Sequence, residues 1–159
     1  MRIGRAFGCG VLAGAVMTLF IAIGRANGVP FALELVLATL SGGPPTRAAW
    51  LVGFALHLAV SGALGIAYAA AFEHLTHRAS WRVGLLFSIA HSTVEWTLVS
   101  LVATVHPLAS ELSRLVTRGE STFVAFTLVH MIYGAVVGGL YAPSPRSIAE
   151  MLFDGDVDV

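Results

Sequence analysis

The chain has 159 residues, 57% of them hydrophobic and 11% charged, with no lysine and a formal net charge of zero. One domain of about 100 to 200 residues could not hide that much apolar surface in water, where about 45 to 50% apolar and about 25% charged residues are usual. The nine arginines are scattered, which excludes the clustered basic footprint of a nucleic-acid binder, and the single cysteine, Cys9, excludes an intrachain disulfide or a multi-cysteine zinc site.

Charged residues cut the chain into apolar blocks that can be measured against the roughly 20 residues a helix needs to cross a bilayer. The first block, residues 6–24, runs from Arg5 to Arg25. Arg2 and Arg5 before an apolar run suggest a secretory signal. However, Gly24-Arg25-Ala26-Asn27 offers no clear small-x-small cleavage site and the run exceeds the usual length, so the block reads as a membrane helix. Its Gly10-x-x-x-Gly14 spacing permits close helix approach, although in a chain with 17 glycines the pattern carries little weight.

Residues 30–40, with Glu34 as their one charge, are expected to lie in the headgroup layer rather than to span. Residues 48–72 form the second block and contain His57. His74 and His77 flank Arg78 in the short loop that follows and read as solvated loop histidines. The third block, residues 83–105, carries one acid, Glu95, and His106 before Pro107 marks its end, because the residue before proline disfavours helix. Residues 107–116 form a second expected interfacial segment, with Leu108, Leu112, Leu115 and Val116 on one side. The fourth block, residues 121–142, contains His130.

Unpaired backbone groups in hydrocarbon would each cost several kcal/mol, so all four blocks should be helices. Beyond Pro145 the character changes. Residues 147–153 are amphipathic, and Asp154, Asp156 and Asp158 make residues 146–159 an acidic tail expected to be disordered after a membrane domain of residues 1–145.

An internal repeat is the most specific pattern. At a constant offset of 73, Trp50 aligns with the aromatic Phe123, His57 with His130, Gly65 with Gly138, Tyr68 with Tyr141 and Ala69 with Ala142. The expected fold is therefore all-α: a four-helix transmembrane bundle built from two similar hairpins, related by a pseudo-twofold axis along the membrane normal, with short interfacial helices in loops one and three. Arg2, Arg5, Arg78, Arg82 and Arg146 lie on one side, and Arg25, Arg47, Arg114 and Arg118 on the other. The positive-inside rule then places both termini in the cytoplasm. The layout resembles that of many small bacterial membrane proteins, which implies no activity; the expected location is a bacterial inner membrane. Trp50, Trp81, Tyr68 and Tyr141, near helix ends, read as residues of the interfacial aromatic belt.

At a rise of about 1.5 Å per residue, His57 and His130 each lie roughly 13 Å below the same surface and Glu95 about 15 Å below it, with His91 one turn further. Ser88, His91, Ser92 and Glu95 recur at i, i+3, i+4 and i+7, a polar stripe that should face the bundle interior. Ionisable groups at such depth normally pair, protonate or face a cavity. His57, His91, Glu95 and His130 are thus candidate metal ligands, and His57 with His130 a candidate pair for haem, since bundle cores build cofactor sites from inward-facing side chains. A histidine set with one carboxylate suits zinc, iron or copper by ligand type. Two other classes compete. One is a proton or small-solute path in an oligomer; the other is a noncatalytic subunit of a larger membrane complex. No Gly-x-Ser-x-Gly elbow surrounds Ser92, and catalysis is not expected.

Overall fold

The computed structural model describes residues 1–29, 31–43, 46–116 and 120–141. Six α-helices follow one another: α1 (Ile3–Ala26), α2 (Leu33–Leu40), α3 (Arg47–Ala71), α4 (Trp81–Val105), α5 (Ala109–Val116) and α6 (Glu120–Leu140). No strand is present among the described residues. Pro30, Ala142 and the acidic tail, residues 146–159, lie outside the described residues.

The helix ends follow local chemistry. Thr46 caps α3 by accepting the Ala49 amide at 3.1 Å, and Ser80 caps α4 by accepting that of Val83 at 3.3 Å, each satisfying a donor the first turn leaves free. α3 runs on as a wider π-turn, Phe72–Thr76, and stops at His77, whose φ of 51° is left-handed. α4 ends where expected: His106, before Pro107, is extended, with φ −70° and ψ 145°.

Four helices, at Ile3–Ala26, Arg47–Thr76, Trp81–Val105 and Thr122–Leu140, are long and apolar enough to cross a membrane. Their outer faces expose Leu19, Leu51, Leu86, Leu101 and Leu128. In water such a surface would be an aggregation hazard; in lipid it is matched solvent.

Because lipid tails are as apolar as leucine, close packing of small residues has to hold such helices together. α1 meets α3 in this way: a Cβ added at Gly10 would stand 2.2 Å from the Ser61 carbonyl oxygen, and one at Gly65 2.5 Å from that of Ala6. α4 meets α6 likewise, a Cβ at Gly84 falling 1.9 Å from the Gly134 carbonyl oxygen and one at Gly138 2.2 Å from that of Ser80. Gly10, given little weight from sequence, therefore lies at a helix crossing. α6 also covers α1, burying Ala6, Ala13, Tyr133 and Val137 in one core cluster. α2 packs on α3 at Gly53, where a Cβ would stand 1.7 Å from the Glu34 carbonyl oxygen. Leu112 of α5 is buried against Val36 of α2 and Ala103 of α4.

The crossing of α4 and α6 leaves no room for a side chain. Gly134→Leu should lower stability by about 1 to 3 kcal/mol through overpacking, read as a drop in Tm in detergent micelles. Gly8→Ala, where an added Cβ meets nothing within 4 Å, should stay within about 0.5 kcal/mol of the parent. Equal Tm values for the two variants would contradict the crossing.

Candidate metal centre

The stripe on α4 does face inward. Ser88 and Ser92 are buried, but their hydroxyls donate to carbonyls one turn back on their own helix, those of Leu85 at 2.7 Å and Ile89 at 3.0 Å. They act as small packing surfaces, with Ser88 lying against Gly134. The two ionisable members of the stripe meet each other, His91 Nε2 standing 3.2 Å from Glu95 Oε2 across one helical turn. The same carboxylate oxygen lies 2.8 Å from Nε2 of His130 on α6. His91, Glu95 and His130 thus each offer one ligand atom, all within 4.8 Å of one another.

The second nitrogen of each ring is also engaged. His130 donates from Nδ1 to the Phe126 carbonyl at 2.6 Å, and Nδ1 of His91 lies 3.2 Å from the Tyr68 hydroxyl. The His91 and His130 rings meet edge to face, with centroids 5.2 Å apart. A carbonyl can only accept, so His130 Nδ1 must carry a proton, and Nε2 then shares one proton with Glu95: either an imidazolium faces a carboxylate, or a carboxylic acid faces a bare nitrogen. A cation in place of that proton would leave every other bond of the ring intact.

His57 is not part of this triad. Its Nε2 donates to the Gly14 carbonyl of α1 at 3.1 Å. The ring still lines the same cavity as His91, Glu95 and His130, a space of about 20 Å³, large enough for about one water-sized occupant. The sequence reading thus expected four converging groups; three meet, and the fourth faces them across a small void.

Four residues have roles beyond those legible in the sequence: Tyr68, Tyr133, Glu34 and Tyr141. Tyr68 is buried and touches His91, rather than serving only as a belt residue. It lies 11 residues, about three turns, after His57, so a helical wheel places the two on one face. Tyr133, one turn after His130, donates to the Ser61 carbonyl at 2.6 Å and ties α6 to α3. Glu34, counted only as a lone charge, is fully buried and accepts Arg25 Nη1 at 2.8 Å. At the other end of the bundle Tyr141 is also buried, its hydroxyl donating to Glu73. Trp50 stacks on Phe54, and Trp81 remains exposed with the Arg82 guanidinium 5.2 Å from its ring centre.

No protein-family model, curated protein or solved structure matches the chain. The chemistry of the centre is read from its own atoms. Nitrogen and oxygen ligands bind zinc at about 2.0 to 2.2 Å in a tetrahedron, whose edges are then about 3.3 Å. The observed separations of 2.8 and 3.2 Å are hydrogen-bond lengths, shorter than such edges, and the group could hold a metal ion once the shared proton leaves and the side chains part slightly.

The contact with Tyr68 is specific to one ring. Tyr68→Phe should move the Nδ1 nitrogen resonance of His91 and leave that of His130, bonded to the Phe126 carbonyl, in place. Nitrogen-15 spectra of the metal-free protein labelled at histidine would record both, and an unmoved His91 signal would remove the contact.

Proposed function

We propose that the chain is an integral membrane protein that binds one divalent transition-metal ion at His91, Glu95 and His130, with His57 as a fourth ligand through Nδ1. The observation that carries this reading is the convergence of three ligand atoms within 4.8 Å, drawn from two helices and set in an apolar bundle. Three further features support it. The outer nitrogen of His130 is held by a backbone carbonyl and that of His91 by a tyrosine, the arrangement that orients ligating histidines elsewhere. A carboxylate at such depth needs a compensating positive charge. The cavity of about 20 Å³ favours an ion over haem, whose ring is far larger than a single water.

The same reading includes a duplicated scaffold, and the contacts between helices support it beyond the aligned residues. Moving from α1 to α4 at an offset of 74 and from α3 to α6 at an offset of 73, the contact of Gly10 with Gly65 maps onto that of Gly84 with Gly138. Gly65 against Ala6 becomes Gly138 against Ser80. Gly14 against Ser61 becomes Ser88 against Gly134, with glycine and serine exchanged. In this picture α2 and α5 are the interfacial helices of the two halves, residues 1–145 are the membrane domain with residues 146–159 as its tail, and both termini face the cytoplasm of a bacterial cell.

Purified chain, stripped and reloaded with cobalt or zinc, should take up one ion per chain, with Glu95→Gln and His130→Ala each weakening binding by more than about 100-fold and Tyr68→Phe by about 10-fold. Elemental analysis and the cobalt absorption spectrum measure both. Folded protein that takes up no stoichiometric metal would overturn the reading and leave a structural role within a larger complex as the better one. Proton flux in liposomes that depends on Glu95 but not on metal would favour the relay.

A further inference from the structure

α2 contributes one wall of the cavity: Leu33 and Leu37 line it together with His57, His91, Glu95 and His130. Two features hold this segment down. α2 backbone fills the notch left by the missing side chain of Gly53, and Arg25 at the end of α1 grips the buried Glu34 at 2.8 Å. Two others make the seat incomplete. Glu34 Oε1 and Thr39 Oγ1 are buried with no hydrogen-bond partner, a penalty that is relieved when such groups reach water. Gly28 and Gly42, one on each side of α2, have φ values of 85° and 94°, a backbone region open to glycine at no steric cost. A short helix between two such residues, with unpartnered polar atoms on its buried face, has the parts of a hinged element.

We propose that α2 is a plug that opens to give access to the His91–Glu95–His130 cavity, and that the Arg25–Glu34 ion pair is its latch. The proposal rests on the cation-site reading for what passes through, but not for the motion itself. Opening exchanges the Arg25–Glu34 pair for hydrated charges and frees the orphaned oxygens, so both states have favourable contacts and neither leaves a bare charge in hydrocarbon. The opening lies on the side where α1 ends and α3 begins, opposite the Tyr141–Glu73 contact.

The test uses the full chain in detergent micelles with Cys9→Ser as background. Ser61→Cys places a thiol on the cavity wall, and Val137→Cys places a control thiol in the buried core of α6, away from α2. The probe is a methanethiosulfonate reagent carrying a quaternary ammonium. Arg25→Gln combined with Glu34→Gln removes the latch without leaving one charge buried and unpaired. It should raise the labelling rate at Ser61→Cys by about tenfold or more, as expected when a few kcal/mol or less separates closed from open, while Val137→Cys stays unreactive. An unchanged rate at Ser61→Cys overturns the plug. A rise at both positions also overturns it, since it reports general loosening. A rise at Ser61→Cys alone supports the plug even if the chain binds no metal, so the two readings fail separately.

Discussion

Backbone lies directly on backbone where α4 crosses α6, and the polar centre depends on that approach. Gly84, Ser88, Gly134 and Gly138 present almost no side chain to one another, and the crossing sits about one turn from His130 and about two turns from Glu95. A Glu side chain is short. Only when the two helix axes come this near can a carboxylate on one reach the imidazole of the other at 2.8 Å. In hydrocarbon the alternative for Glu95 is an unpaired charge or a neutral acid with no acceptor, each costly, so packing and polar pairing stabilise the same geometry. The crossing of α1 and α3 brings His57 to the Gly14 carbonyl, and the missing side chain of Gly14 makes room for Ser61.

The centre also shows how a low dielectric sorts otherwise similar side chains. Five hydroxyls on α4, those of Ser88, Ser92, Thr93, Thr97 and Thr104, return to carbonyls of their own helix and are satisfied without partners elsewhere. A carboxylate cannot donate to those carbonyls and needs a donor from another side chain. Glu95 finds two histidines, Glu34 finds Arg25, and Glu73 finds Tyr141. Each acid thus ties separate parts of the chain together, and each is more buried than its charge alone would suggest.

Much of this could be read from the amino acids. The apolar blocks gave the four long helices because block length and bilayer thickness are one-dimensional quantities, and the stripe on α4 gave the inward face because a helix has a fixed period. His91, Glu95 and His130 were legible as a group for the same reason: depth follows from position along a helix. What could not be read depends on how each helix turns about its own axis and on which neighbour it meets. That rotation sends His57 to Gly14 rather than into the triad, brings Tyr68 onto His91, and seats Glu34 under Arg25. The importance of Gly10 was hidden in the same way, since a glycine declares a crossing only once its partner is known.

The two helix pairs pack by the same pattern, but they do not carry the same chemistry. By the offset that relates their contacts, the α1 positions matching His91 and Glu95 are Met17 and Ile21, both buried and apolar. Met17 reaches the same cavity that His91 lines. At these two positions one helix pair supplies donors and the other a thioether and an aliphatic chain. An occupant held by His91, Glu95 and His130 would be gripped mainly from the α4–α6 flank, with Met17 and the His57 ring closing the opposite side.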